Sequence, residues 1–362
     1  MEASQRFDLV NAVSIPISVL TYILPLVGLL FGMNLPSIVV LILLAKVGAL
    51  TAFVALDVHT IPRLRRYSGS LSFFPRLFSF GGWVMVSGIV SPVLSYLDRF
   101  FIGSFLTMSA VTYYTVPFDL MTRLWIIPTS LVMTLFPAFS SLGAMCKEDE
   151  RNLFIRSVKY LLLTSGLIVL VLMVFADDVL RLWLGADFAR QSTIVLRILL
   201  LGALIGLVAP ISGALLQGLG RPDVLGKLYL IEIPLNIVLM WFLVRYLGII
   251  GVSWLFTFRA LIETTVLFLI SAKLICLPYR CIVKSKLWLS VLLLLGVGGL
   301  LWAISLIEVV GFRIGLTVIV VLIFAIVSWR YVLDEIDKKV ITSLAPNFLS
   351  HKRNKEGKNV EG

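Results

Sequence analysis

The chain has 362 residues, of which 59% are hydrophobic and 14% are charged, and its mean hydropathy is +1.03. This composition leaves little room for a soluble protein. A helix that crosses the hydrocarbon core of a bilayer needs about 20 mostly apolar residues. Lipid offers no partners for backbone polar groups, which favours helices because they satisfy their own hydrogen bonds. The sequence therefore predicts an all-α, polytopic helical membrane protein.

Ten apolar segments of bilayer length follow one another along the chain. They cover residues 9–31, 36–57, 82–104, 109–138, 153–175, 193–218, 224–246, 250–274, 287–307 and 310–331. The outward stretch DDVLRLWLGADF (177–188) predicts a short helix at the outer interface. The sequence predicts that the segment 333–346 begins as an amphipathic helix and that HKRNKEGKNVEG (351–362) is a disordered, solvated charge run.

The distribution of Lys and Arg predicts the orientation, because cytoplasmic loops carry the positive excess. Ten spans put both termini on one side, and 22 basic residues fall in the loops and tails of that side. The opposite side carries only Arg181, Arg190, Arg245 and Arg313. Both termini are therefore predicted to be cytoplasmic. The net charge of +11 indicates topology and contacts with anionic membrane lipids, and no nucleic-acid partner is predicted.

Ionisable residues inside the spans are the candidate site residues. A charge at mid-bilayer costs several kcal/mol unless it faces a protein interior or a water-filled cavity. The candidates closest to mid-membrane are Lys46, Asp119, Arg123, Arg259 and Glu263. For any one of them, an ion pair that only stabilises the helix bundle is the alternative interpretation.

Three further candidates lie nearer to the ends of their spans. Asp98 and Arg99 are close to an outer end, so we expect Asp98 to face inward while Arg99 extends towards the interface. Glu232 lies nearer to the cytoplasmic side, on the same helical face as Asn236.

Sequence spacing predicts which of these charges pair. Asp119 and Arg123 stand one turn apart with the acid first, the favourable order for an i,i+4 pair, so they could neutralise each other. Arg259 and Glu263 have the reverse order, which favours other partners for both.

Catalytic signatures are missing from the sequence. It contains no glycine-rich phosphate loop, no histidine-based nucleophile arrangement and no metal-ligand spacing. His59 and His351 are far apart and outside the spans, while Cys146, Cys276 and Cys281 fall near the cytoplasmic ends, where thiols stay reduced. We therefore predict that the protein is not an enzyme and uses neither a metal nor a cofactor.

Residues 91–142 carry a family resemblance. The segments DRFFIG (98–103), YYTVPF (113–118) and LFPAFSSL (135–142) occur in the order and spacing of the polysaccharide-unit flippases. These Wzx-type proteins belong to the superfamily of multidrug exporters and lipid II flippases. Agreement continues at LLQGLGRPD (215–223) and upstream at QRFDLVNA (5–12), so the resemblance extends from residue 5 to about residue 275.

The resemblance implies two six-helix lobes around a central cavity, followed by extra C-terminal helices. It predicts that 1–57 holds the last two helices of the first lobe, 58–80 a basic cytoplasmic connector and 81–275 a six-helix second lobe. Two C-terminal helices (276–332) and a cytoplasmic tail (333–362) follow. Four N-terminal spans of the family have no counterpart here. This difference from the family has three alternative explanations: a truncated gene product, a misplaced start codon, or a partial protein that needs a partner.

The resemblance also implies a function. Family members turn oligosaccharide repeat units on an undecaprenyl-diphosphate carrier across the bacterial cytoplasmic membrane for O-antigen, lipopolysaccharide or exopolysaccharide synthesis. Polymerase and assembly proteins are the predicted partners. The implied diphosphate-binding candidates are Arg123, Arg259, Arg99 and Lys46. The candidates for proton coupling or gating are Asp119, Glu263, Asp98 and Glu232.

Two other functions remain alternatives from the sequence. The first is a cation-coupled small-molecule, or multidrug, exporter, for which an acidic cavity would be expected. The second is a non-transporting membrane subunit of a glycan assembly complex, in which substitution of Arg123 and Arg259 would leave polysaccharide output intact.

Overall fold

The computed structural model describes residues 7–60, 74–142, 147–278, 281, 283, 285–307, 309–335, 337 and 338. Across these residues the secondary structure is helical, with no β-strand. The chain divides into two compact units, Met1–Pro75 and Arg76–Gly362.

The first unit is a helical hairpin. Helices α1 (Phe7–Leu30) and α2 (Leu35–Thr60) pack against each other. A Cβ atom at Gly28 would lie 2.8 Å from Ile38, so glycine permits the close approach of the two helices there. Hydroxyl groups in α1 bond to their own backbone, as Ser18 does to the carbonyl oxygen of Ser14 at 2.7 Å. The apolar side chains mostly point outward, which suits a lipid environment.

The second unit is a larger helical bundle. Its helices are α3 (Phe74–Phe105), α4 (Met108–Arg123), α5 (Ile126–Leu142), α6 (Lys147–Leu161), α7 (Leu167–Val174), α8 (Ala176–Leu184), α9 (Ala186–Gly206), α10 (Ala209–Gly218), α11 (Asp223–Leu274), α12 (Leu287–Ser305) and α13 (Val310–Val327). Helix α9 is central, because it packs against α4, α7, α8 and α11. Its side chains Val195, Leu196, Leu199 and Leu200 are fully buried.

The helices agree with the predicted membrane spans. Among the described residues, eight helices are long and apolar enough to cross a membrane, or nine if α4 and α5, bent by 42°, form one span. Helix α11 contains the two predicted spans 224–246 and 250–274. Its 52 residues would extend about 78 Å at 1.5 Å per residue, which is more than twice the thickness of the hydrocarbon core, about 30 Å. Its backbone leaves helical geometry at Gly248 (φ 59°, ψ −142°), a conformation that glycine adopts most easily. The prediction of an all-α polytopic membrane protein is confirmed.

An ion pair links the last helix to α8. The side chain of Arg313, near the start of α13, is only 9% exposed and forms a salt bridge with Asp178. Its guanidinium carbon also lies 5.6 Å from the ring centre of Phe175. Arg313 is one of the few basic residues predicted on the outer side, and its ion pair with Asp178 adds a packing role. The short helix predicted from 177–188 is confirmed as α8 and the start of α9.

A second ion pair links the C-terminal segment to α6. The Nζ atom of Lys159 lies 2.5 Å from Oδ2 of Asp337, and both side chains are buried, with 1% and 0% exposure. The hydroxyl of Tyr160 donates to Oδ1 of the same carboxylate at 2.5 Å. These contacts bind the start of the segment after residue 332 to α6, and the solvated charge run predicted for residues 351–362 lies outside the described residues. Residues 339–362 and most of the predicted connector, 61–73, lie outside the described residues, and the domain boundaries stay a prediction.

The buried carboxylate of Asp337 should make stability depend on pH. Burial opposes its ionisation, but hydrogen bonds from Lys159, Tyr160 and the backbone N–H of Asp334 outweigh burial and lower the pKa of Asp337. Its stabilising effect should be complete above the ordinary pKa of about 3.9 and be lost as the pH falls through the lowered value.

We expect the difference in melting temperature between the wild-type protein and Asp337→Asn, measured in detergent, to be constant from about pH 7 to pH 5 and to shrink below about pH 4. A difference that stays constant down to about pH 3 would show that Asp337 does not ionise in this way. Asp187→Asn, at a fully exposed side chain, is the control.

Candidate functional site

Helices α3 and α4 bring a buried carboxylate and a tyrosine together. Asp98 of α3 is 3% exposed, and its Oδ2 accepts a hydrogen bond of 2.7 Å from the hydroxyl of Tyr114, which is fully buried in α4. A buried carboxylate needs a hydrogen-bond donor from the protein, because lipid and apolar side chains supply none. The prediction that Asp98 faces inward is confirmed.

The two halves of α11 add two further carboxyl groups. The hydroxyl of Tyr229, before the break at Gly248, donates to Oε1 of Glu263, after the break, at 2.9 Å. Glu232 is 5% exposed and lies on the same face as the buried Asn236, as predicted. Neither carboxyl oxygen of Glu232 has a hydrogen-bond partner among the described residues. This carboxyl group is therefore free to bind a proton, a cation or a moving side chain.

Arg259 connects these groups electrostatically. It is half-buried in the second half of α11, and its positive charge acts on Asp98, Glu232 and Glu263. No carboxylate of the described residues lies within salt-bridge distance of it, and its guanidinium carbon is 5.6 Å from the ring centre of Phe256. Glu263 accepts its hydrogen bond from Tyr229, and Arg259 and Glu263 form no salt bridge with each other, in agreement with the prediction from their order. The Arg259 cluster consists of Asp98, Tyr114, Tyr229, Glu232, Arg259 and Glu263.

A second set of polar residues lies on α3 and α4, close in sequence to Asp98 and Tyr114. The Nη2 atom of Arg99 donates to Oδ1 of Asp119 at 2.6 Å. The guanidinium carbon also lies 5.2 Å from the ring centre of Tyr96 and 5.6 Å from that of Phe118. Arg99 therefore does not extend freely towards the interface, and that prediction is wrong.

The predicted pair of Asp119 and Arg123 is also wrong. Asp119 is already bound by Arg99, and a short charge-assisted hydrogen bond between helices outweighs an i,i+4 pair worth about 0.5 kcal/mol. Arg123 is the last residue of α4, at the bend before α5, and its side chain is exposed. No described residue forms an ion pair with it.

Lys46 is the remaining candidate for diphosphate binding. It belongs to α2 of the first unit, near the middle of the span Pro36–His59, and its side chain is exposed there. Its predicted role in diphosphate binding stays a prediction.

Tyrosines are the site residues that charge alone did not reveal. Tyr114 and Tyr229 each donate to a carboxylate inside the bundle, and Tyr96 lies against Arg99. A tyrosine within an apolar span carries a hydroxyl that needs a partner, and this signal could have identified the first two.

The fold and the Arg259 cluster define a polytopic α-helical membrane protein with a buried, charged site between its helices. Its family follows from sequence comparison. A sequence profile for the family described as "Polysaccharide biosynthesis protein" matches residues 1–193, slightly more than half of the chain. The chain belongs to this family.

Two curated relatives are similar over part of their length. A "Putative O-antigen transporter" of Shigella flexneri is 29% identical over 194 residues, which cover 54% of this chain and 46% of the relative. A "Probable low-salt glycan biosynthesis flippase" of Haloferax volcanii is 26% identical over 183 residues, 49% of this chain and 38% of the relative. The matched regions thus span less than half of each relative.

A solved structure shares the fold. The structure titled "Lipid II flippase MurJ, inward closed conformation" superposes with a TM-score of 0.56 at 16% sequence identity. The superposition covers 87% of this chain and 66% of that protein. At this identity the likeness concerns the fold alone.

Proposed function

We propose that the chain acts in flipping oligosaccharide repeat units linked to undecaprenyl diphosphate across the bacterial cytoplasmic membrane, for surface polysaccharide synthesis. The observation that carries the proposal is the Arg259 cluster, a set of charges inside a bundle whose fold matches a lipid II flippase. The named relatives support it, since both names describe transport or flipping of glycans. These names describe transporters, and no catalytic step is proposed.

The exposed and half-buried arginines are the groups suited to the diphosphate. A guanidinium matches phosphate oxygens with two parallel hydrogen bonds. Arg123 is exposed without a described ion-pair partner, and Arg259 has no carboxylate within salt-bridge distance, so both have free donors. Arg99 is less suited, because Asp119 already occupies it.

The carboxyl groups of the Arg259 cluster are suited to coupling. The positive charge of Arg259 acts on Asp98, Glu232 and Glu263, so a proton on one of them removes a negative charge that competes with the diphosphate. Conversely, a bound diphosphate would draw Arg259 away from the carboxyl groups and favour their protonation. Such reciprocal linkage is what a coupled transport cycle needs. The cytoplasmic location of both termini is part of this proposal.

An organic-cation exporter is the second candidate. The specific observation in its favour is the excess of carboxyl groups over arginine in the Arg259 cluster, because an acidic cavity attracts organic cations.

Deletion of the gene tests the proposed function. We expect loss of surface polysaccharide and accumulation of carrier-linked repeat units, measured by gel analysis of polysaccharide and by mass spectrometry of extracted lipids. Expression of the chain from a plasmid should restore both. Unchanged polysaccharide together with altered drug sensitivity would instead support the exporter.

A further inference from the structure

The structure contains a polar pocket on α3 and α4 whose lining includes none of the residues of the Arg259 cluster. The Arg99 pocket is about 350 Å³ in volume, within the ~300–1,000 Å³ typical of ligand sites. It is lined by Ser91, Pro92, Ser95, Tyr96, Arg99, Phe118, Asp119 and Thr122. Six of these eight residues carry a polar side chain, within helices that are otherwise apolar. Polar side chains within a membrane span are costly unless they contact other polar groups, water or a polar ligand.

The charges in the Arg99 pocket cancel each other. Arg99 and Asp119 are joined at 2.6 Å, with side-chain exposures of 27% and 53%. An anion that approached Arg99 would meet the carboxylate of Asp119, so the pocket is poorly suited to phosphate. A neutral ligand with many hydroxyl groups meets no such repulsion, and it can donate to the carboxylate while it accepts from the guanidinium.

Other groups of the pocket suit hydroxyl groups as well. The hydroxyls of Ser95 and Thr122 donate to backbone carbonyl oxygens, at 3.1 and 2.8 Å, so their remaining lone pairs can accept hydrogen bonds. The pocket therefore offers both donors and acceptors without a net charge.

An exposed aromatic ring completes the pocket. Tyr96 is 62% exposed, and Arg99 packs over its ring, which limits the ring's freedom. An aromatic ring presents a flat apolar surface on which the C–H face of a sugar ring can pack, while the phenol hydroxyl stays available for a hydrogen bond. An aromatic ring beside paired hydrogen-bonding groups matches a sugar, which has an apolar face and a polar rim.

We propose that the Arg99 pocket binds a sugar of the carrier-linked oligosaccharide, with Tyr96 against the ring face and Arg99 and Asp119 bonded to its hydroxyl groups. The proposal rests on the proposed function and adds a sugar-recognising site to it. It gives Arg99 and Asp119 a different role from diphosphate binding and proton coupling.

Two probe lipids test the proposal with the full chain in nanodiscs. One is the carrier-linked repeat unit extracted from the deletion strain, and the other is undecaprenyl diphosphate without sugar. We expect Tyr96→Leu to weaken binding of the sugar-bearing lipid by roughly fivefold to tenfold and to leave binding of the bare lipid unchanged. Asp119→Asn should weaken binding of the sugar-bearing lipid relative to the bare lipid, because it removes a charged acceptor for sugar hydroxyl groups and also the repulsion between Asp119 and the diphosphate. Tyr96→Phe, which keeps the ring, should bind nearly as tightly as the wild-type protein.

Tyr246→Leu is the matched control, because Tyr246 is also exposed, at 77%, but lies outside the pocket. It should bind both lipids like the wild-type protein. An equal loss for both lipids in Tyr96→Leu would show that the pocket binds the diphosphate or the lipid chain, and no loss for either would show that it is not a binding site. Either result would overturn the proposal that the Arg99 pocket binds a sugar. If the wild-type protein binds neither lipid, the proposed function itself fails.

Discussion

Replacement of Lys159 by methionine is expected to lower the free energy of unfolding by about 3–5 kcal/mol, because it leaves the carboxylate of Asp337 buried without its cation. Lys159 and Asp337 are 1% and 0% exposed and lie 2.5 Å apart. Tyr160 would still donate to the carboxylate, but Arg156, at 3.7 Å and one-third exposed, is a poor substitute for the lost charge. Denaturant titration in mixed micelles measures the change.

Two variants serve as controls for the Lys159 prediction. Arg190→Met removes a cation that lies 3.9 Å from Asp187 in a pair with exposures of 76% and 100%, so its effect should be below about 1 kcal/mol. The double variant Lys159→Met/Asp337→Leu should recover much of the stability, because it removes both buried charges. A loss below about 1 kcal/mol in Lys159→Met would show that the pair is not buried in the protein as it exists in the membrane.

The second large effect concerns Arg259. We expect Arg259→Gln to reduce surface polysaccharide in the complemented deletion strain by at least tenfold, with carrier-linked units accumulating. The substitution removes the cation that acts on Asp98, Glu232 and Glu263 and leaves three carboxyl groups without it. Arg259→Lys should restore only part of the activity, because an ammonium group keeps the charge but lacks the bidentate donor geometry.

Arg245→Gln is the matched control for Arg259→Gln. Arg245 lies on the same helix, is exposed, and packs over the ring of Trp241 at 5.6 Å, away from the Arg259 cluster. It should leave polysaccharide output unchanged, and immunoblots of membrane fractions should show equal amounts of both variants. Normal polysaccharide in Arg259→Gln would argue against a transport role for this cluster and favour a non-transporting subunit of a glycan assembly complex.

Much of the fold was predictable from the sequence, for a physical reason. Each span must be apolar over about 20 residues, so hydropathy alone marks where helices run. The break at Gly248 lies between the predicted spans 224–246 and 250–274, although the helix around it is otherwise continuous. Asp98, Glu232, Arg259 and Glu263 were identified because charges in such spans are costly unless they face a polar interior.

The sequence by itself determined the class of protein, the position of its spans and the charged residues that lie within them. Only the tertiary structure decided which of these residues are partners. Asp119 binds Arg99 of another helix and not Arg123 of its own, since local spacing contributes little energy and helix packing sets which side chains meet. Likewise, Asp337 follows the last span in a charged segment, and its burial arises from Lys159, which lies 178 positions earlier in the chain. Contacts of such sequence separation depend on how whole helices pack, and this information is not contained in any local pattern.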